Sequence, residues 1–406
     1  MTTLREAVAL AEADKGLAVV STLRADATIQ STIVNAGIID HPESGETVLA
    51  FVSAGKVRQA NLRARPQISA TFRSGWRYAT VEGRADIAGP DDPQPWLRPE
   101  ALRLLLRDIF TAAGLDSIDE PTPGPGQVVV AVKAAGINQL DWKIREGHVR
   151  NVFHLDLPAT IGVEFAGEVL HTGKGTTRFA AGDRVTGFVP RVGSYTEQLL
   201  IDEDILARTP DALNDVQAAA LPVSAVTAWQ AVHAAGDPTA TDTVLVHAAA
   251  GAVGGWAVQF AGATGARVIA TASADNHDFV RDLGADVVID YRNQNFEDHV
   301  DEVDLVVDLV GGDTLDRSWG VLKPGGAIVS VSQHDIVDRT PDARRGYWIE
   351  AEPEPALLER IAADAADSKL RFFVAETFPL KRIGEAIELS RTGGYGPGKL
   401  VVDFSK

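Results

Sequence analysis

The stretch of this 406-residue chain best suited to chemistry is Ala249-Ala250-Gly251-Ala252-Val253-Gly254, which directly follows the apolar run Thr243–His247. A dinucleotide fingerprint reads G-x-G-x-x-G between a strand and a helix, and alanine replaces its first glycine here. Gly251 permits backbone approach to a pyrophosphate, whose charge suits the unpaired N–H groups of a helix start. Gly254 lets the helix pack on the sheet. An ordinary tight βα turn is the bland alternative. The next strand ends Ala270-Thr271-Ala272-Ser273, without the acid that would hold a ribose 2′-hydroxyl. That end permits the 2′-phosphate of NADPH, but Asp275 disfavours a dianion, so NADH stays open. A second cluster, Lys56, Arg58, Arg63 and Arg65, places four basic residues within ten positions. It opens a helix that Pro66 ends; a helix start with cations suits a phosphate, whereas the charge run alone favours a plain solvated surface. Ser53 and Lys56 also show the bare S-x-x-K spacing of acylases, but the companion motifs are absent.

Composition removes other chemistries. The chain has no cysteine, hence no disulfide, thiolate metal site or cysteine nucleophile. Its nine histidines are scattered without H-x-x-x-H spacing, and no metal is expected. Residues 1–113 carry 13 basic and 13 acidic side chains, so the remainder carries the whole net charge of −18. So acidic a second part repels nucleic acid and anionic membranes, and the change in balance marks a boundary near residue 115. No run approaches the ~20 apolar residues that span a bilayer. The first residues lack a signal-peptide core, so a cytoplasmic location is expected.

The elements that must position these residues fall into two patterns. After an amphipathic N-terminal helix come short strand-like runs, LAVVSTL, TIQSTIVNAGII, ETVLAFVS, QISATF and WRYATVEGRADI, whose density suggests a small barrel. A helix over Arg98–Ala113 follows. Residues 126–200 read as strands and turns, and Val216–Ala235 as helix. Then strands alternate with helices: Thr243–His247, a helix to Thr264, Arg267–Thr271, a helix over His277–Leu283, Val287–Ile289, a helix near Phe296–Val300, then DLVVDLV and AIVSVS. That alternation predicts a parallel doubly wound sheet. At roughly 100–200 residues per domain, two or three domains are expected.

The order TIQSTIVNAG, VLAFVSAGKVRQANLRARPQISATF and GWRYATVEGRAD resembles the split-barrel flavin and deazaflavin oxidoreductases, relatives of pyridoxamine-phosphate oxidase that include the F420-using branch. The match spans nearly all of residues 1–113. The resemblance implies that Lys56 and Asn61 contact the phosphate or tail of F420 or FMN, that Ser31, Thr32 and Asn35 line its ring, and that Trp76 lies near the site from a partner of a homodimer. The chain lacks the final helix and strand expected after LLLRDIFTAAG.

Beyond residue 120, Ala135-Gly-Ile-Asn138-Gln-Leu-Asp141-Trp142, Ile161-Gly-Val-Glu164-Phe-Ala-Gly167, Gly182-Asp-Arg-Val185, Gly193-Ser-Tyr195 and Thr227-Ala-Trp229-Gln230 occur in order with the glycine-rich turn. Together they resemble the zinc-independent medium-chain reductases of the quinone oxidoreductase and enoyl reductase branch. The resemblance implies that Asn138 and Thr227 meet the nicotinamide and carry the catalytic end. Gly251, Ala252 and Val253 would hold the pyrophosphate. Ser273 and Tyr291 would flank the 2′-phosphate, with Arg292 supplying the cation that Asp275 calls for, and Val310 and Ser332 would line the cofactor's path. Val163 stands where zinc-dependent relatives place a histidine. Asp183 and Gly182 read as turn residues and Tyr195 as core. The family's opening hairpin is missing before Pro121.

The expected architecture is therefore multidomain. It comprises a split β-barrel over residues 1–114, a connector at 115–120, a GroES-like β domain over 121–225 with 372–406, and a Rossmann α/β doubly wound parallel sheet over 226–371. The expected function is NADPH-dependent reduction of a quinone or enone, with a second F420 or FMN site in the barrel and possible exchange of hydride equivalents between the sites. One rival is a plain reductase whose barrel is only a structural or dimerisation module. Another is a nucleotide-binding structural protein without turnover. The edges left by the two missing pieces are expected to cover each other or to pair across a dimer.

Overall fold

The structure, a computed structural model, describes residues 3–11, 17–52, 56–74, 77–88, 94–95, 109, 121–149, 155 and 159–405. The chain divides into two compact units, Met1–Glu120 and Pro121–Lys406. The expected helix at 98–113, Ile109 excepted, the connector, Ser53 and Trp76 lie outside the described residues.

In the first unit, helix α1 (Leu4–Ala9) starts at a reciprocal cap: the Glu6 N–H donates to Thr3 Oγ1, and the Thr3 N–H donates to Glu6 Oε2. Strands β1 (Leu17–Leu23), β2 (Ile29–Asp40), β3 (Thr47–Phe51), β4 (Gln67–Ser74) and β5 (Arg77–Arg84) form one antiparallel sheet in the order β3-β2-β1-β4-β5. Helix α2 (Lys56–Ala64) connects β3 to β4. Strand alternation sends Ala18, Val20, Val34, Ala36, Ala70 and Phe72 into a core shared with Ala7, Val8 and Ala11. The opposite face exposes Val19, Leu23, Ile29 and Ile33. Among the described residues β3 and β5 end the sheet and do not pair with each other.

The second unit contains two sheets. In the first, β6 (Gln127–Ile137), β7 (Glu164–Thr172), β8 (Arg184–Phe188), β9 (Gln198–Asp202), β10 (Leu206–Arg208), β17 (Val374–Pro379) and β18 (Lys399–Asp403) run in the order β10-β8-β7-β6-β18-β17. Strand β6 is the hub. Along one edge it pairs with β7; along the other, its first half pairs with β9 and its second half with β18. Its run of valines is buried almost throughout, and each such side chain stabilises by roughly 1.5–3 kcal/mol relative to exposure.

The second sheet is fully parallel. Strands β11 (Thr243–Val246), β12 (Arg267–Ala272), β13 (Val287–Asp290), β14 (Val303–Asp308), β15 (Leu322–Ser330) and β16 (Arg345–Trp348) lie in the order β13-β12-β11-β14-β15-β16. The order reverses between β11 and β14, the switch point beside which open parallel sheets bind ligands. Two expectations need correction. The helix expected over 216–235 is two helices, Asp215–Ala219 and Pro222–His233, because Pro222 starts a new helix rather than continuing one. The helix expected near 296–300 is a single 3-10 turn, Phe296–Asp298.

Candidate active site

The dinucleotide turn is built at the end of β11. Ala248 adopts φ 52°, and its carbonyl accepts the Gly251 N–H at 3.0 Å, closing a tight turn. Exposed Gly251 then caps the helix Ala252–Ala263. A Cβ on Gly254 would lie 2.3 Å from the Ala248 carbonyl oxygen, so only glycine lets helix and strand approach this closely. An exposed N-cap glycine opening a twelve-residue helix fits a pyrophosphate.

At the adenosine end, Ala272 on β12 pairs with Asp290 on β13, which brings Ser273 and Tyr291 to neighbouring strand ends. Ser273 Oγ accepts the Asn276 side-chain N–H at 3.1 Å. Tyr291 is exposed, and the Arg292 guanidinium lies 5.8 Å from its ring centroid. The Tyr291 hydroxyl above all, and also Asp275, raise the Arg292 pKa. The three predicted residues are thus together, with the cation near Asp275. Sequence reasoning passed over His277, whose Nε2 is buried beside Asp290 with no partner among the described residues.

Val310 and Ser332 sit on two loops organised by a buried pair that the sequence did not single out. Asp308 Oδ1 accepts the N–H groups of Val310 (3.1 Å) and Gly311 (2.9 Å). The Ser330 hydroxyl donates to Asp308 Oδ2 at 2.6 Å, and Ser330 Oγ accepts the Ser332 N–H at 3.2 Å.

The richest cluster surrounds Asn138, which follows β6 and precedes the helix Gln139–Glu146. Its side-chain amide donates to Glu164 Oε1 at 2.9 Å, and its Oδ1 accepts from Lys399 Nζ at 2.6 Å. Lys399 and Glu164 form a buried ion pair at 2.5 Å. Glu164 Oε2 accepts the Val223 N–H at 2.8 Å, one turn before Thr227, which is itself buried. Glycine at 136 makes room, since a Cβ there would lie 2.3 Å from Glu164 Oε1. Beneath Asn138, Asp141 Oδ2 accepts both the Asn138 backbone N–H and the Tyr195 hydroxyl, each at 2.6 Å. Burial raises the Asp141 pKa to about 6 despite those bonds. Burial and the neighbouring Asp141 push Tyr195 well above the ordinary phenol value.

In the first unit the predicted residues do not converge as expected. Ser31 shares a hydrogen bond with Ser21 at 2.8 Å and lies on the same face of β2 as Asn35. Thr32 alternates to the face of Val34 and Ala36, so the three cannot line one ring from one face. The Asn61 amide is engaged by Gln30 (2.9 Å) and Thr22 (3.4 Å). Lys56 begins α2, and its side chain lies outside the described residues.

Residues 124–211 match the alcohol dehydrogenase GroES-like domain, and residues 283–402 match the zinc-binding dehydrogenase domain. The residues at the site do not fit zinc: the chain offers no thiolate, and the carboxylate of Glu164 already holds the Lys399 ammonium, which would repel a cation. A chloroplast envelope quinone oxidoreductase homolog from Arabidopsis thaliana is 29% identical over 327 residues, covering 72% of this chain and 94% of its own length. The structure of the quinone oxidoreductase from Coxiella burnetii superposes with a TM-score of 0.66 at 34% identity, covering 70% of this chain and 92% of that one. A Pseudomonas syringae quinone oxidoreductase gives 0.63 at 27% identity, with 71% and 94% covered. With its GroES-like sheet, its parallel Rossmann sheet and this likeness, the chain belongs, through residues 121–406, to the quinone oxidoreductase-like medium-chain dehydrogenases and reductases.

Proposed function

We propose that residues 121–406 reduce a quinone or an activated alkene with NADPH. The observation that carries this reading is the Asn138 amide, half-buried above an interior Lys399–Glu164 pair, with Gly398, the residue before Lys399, bridged to Gly251 of the turn. NADPH when bound supplies the hydride. A quinone, one hydride and one proton from water give the hydroquinone. The chain's own residues bind and orient. Gly251, Ala252 and Val253 hold the pyrophosphate, and Ser273, Tyr291 and Arg292 hold the 2′-phosphate. The remaining N–H of Asn138 donates to the carbonyl that gains charge. Thr227 closes the same end. NADPH consumption with p-benzoquinone and with cyclohexenone tests this. Turnover with at least one acceptor, lost on Asn138→Ala, is expected; no turnover with any quinone or enone counts against it.

For residues 1–114 the primary reading is a split barrel taking F420 or FMN at the basic start of α2. A second reading, a structural or dimerisation module, is favoured by two observations. The Asn61 amide is spent on the sheet, and Val19, Leu23, Ile29 and Ile33 form an exposed apolar face that a second copy would cover. Titration with F420 and FMN, together with sedimentation of the whole chain, separates the readings. A chromophore bound at micromolar concentration supports the first; a dimer that binds neither supports the second.

A further inference from the structure

A buried ion pair calls for a reason, because well-packed apolar residues of similar volume are often as stable. The side chains of Lys399 and Glu164 are 5% and 0% exposed. Apolar replacements could fill that space, but they could not distinguish the two ends of an amide. Lysine only donates and a carboxylate only accepts. Lys399 therefore selects Oδ1 of Asn138 and Glu164 selects Nδ2. The flipped amide would set donor against donor and acceptor against acceptor. One Nδ2 hydrogen is left over, on a residue that is half-buried while the pair behind it is buried.

The pair is also anchored to the elements around it. Gly398, immediately before Lys399, forms a parallel bridge with Gly251 and donates its N–H to the Ala250 carbonyl at 3.3 Å. Its φ of +106° and the approach of the Phe373 carbonyl, 2.2 Å from where a Cβ would sit, admit only glycine at this crossing. Glu164 reaches the other way, to the Val223 N–H at the start of the Thr227 helix. Lys399 lines one small cavity with Gly251, Ala252, Gly255 and Ser224.

We propose that Lys399 is a positioning residue: with Glu164 it locks the Asn138 amide in one of its two orientations and anchors that orientation to the dinucleotide turn. The proposal rests on the reading that Asn138 serves the reacting end. Removing the lock frees the amide to turn about χ2, and misplacement of this kind costs on the order of 10–100-fold in rate.

The test uses the full chain carrying Lys399→Met with Glu164→Gln, which avoids leaving one buried charge unpaired. After circular dichroism has established folding, NADPH affinity, kcat with p-benzoquinone and the isotope effect with deuterated NADPH are measured. The expected result is an NADPH Kd within about threefold of the parent, kcat lower by about 10–100-fold, and a larger isotope effect. Lys399→Arg with Glu164 kept sets a side chain that only donates beside one that only accepts, and is expected to recover most of that loss. Unchanged kcat in the methionine variant overturns the lock. Loss of NADPH binding in step with kcat, or no recovery in a folded arginine variant, also overturns it. Asn138→Ala separates the layers. Full kcat in that variant removes the reading beneath the proposal. Lost kcat there, with kcat retained in the methionine variant, overturns the lock alone.

Discussion

At the scale of single residues, two buried groups make opposite contributions to pH dependence. Asp141 has its folded pKa raised to about 6. Its contribution to stability is fully present below the ordinary carboxylate value and is lost as pH rises through 6. An asparagine side chain at this position would mimic the protonated form, so the stability advantage of the parent over Asp141→Asn should shrink by roughly 3 kcal/mol from about pH 4 to about pH 8 in urea unfolding. A constant difference would show that Asp141 titrates normally. His247 runs the other way. Burial first, then Arg317, lowers its pKa to about 4. Its neutral ring lies between Thr271 and Ser318. Its contribution holds above the ordinary imidazole value and disappears as pH falls toward 4. Gly136 supplies a further residue-level test. Gly136→Ala would press a methyl group onto Glu164, so it should lower stability by roughly 1–3 kcal/mol and reduce kcat more than NADPH affinity. Full activity would mean that Glu164 moves aside without consequence.

At the scale of elements, the glycine-rich turn depends on close packing between helix and strand. Gly254→Val should push the helix Ala252–Ala263 off β11 and weaken NADPH binding by at least about tenfold in a fluorescence titration. Unchanged affinity would show that the turn tolerates the larger residue. Most elements of residues 121–406 are legible because they rest on local periodicity: valine runs for β6, and apolar strands alternating with helices for the parallel sheet. The departures are also local, and Pro222 is a helix start hidden inside an alanine-rich run. The geometry of the candidate site is legible where it is contiguous, as in the tight turn and helix start at Gly251–Gly254, or where a strand end alone decides, as in the placing of Ser273 beside Tyr291. The partners of Asn138 are not legible. Lys399 lies 261 residues away, and no spacing rule links a lysine that opens one strand to an asparagine that follows another. In the first unit, alternation is visible in the sequence, and it separates Thr32 from the Ser31 with which the resemblance groups it.

At the scale of the whole molecule, each unit keeps its own apolar core: residues 4–81 contribute to one, and the others are drawn from residues beyond 127. Residues 121–406 produced alone should therefore fold and oxidise NADPH at a rate within about threefold of the full chain. An insoluble or inactive fragment would show that the first unit is part of the catalyst.

Strand β6 has one further consequence, for the order of synthesis. Its outer edge is completed by residues 399–403, whereas the parallel sheet closes with residues 345–348. A ribosome delivers β6 before the parallel sheet and β18 after it. The parallel sheet can assemble during translation, while the sheet that carries Asn138 waits with half an edge open until the final strand emerges. Lys399 arrives on that same strand, so the buried Lys399–Glu164 pair and its bond to Asn138 form only after the parallel sheet has been delivered, and a stop codon before Lys399 is expected to leave Asn138 without that partner.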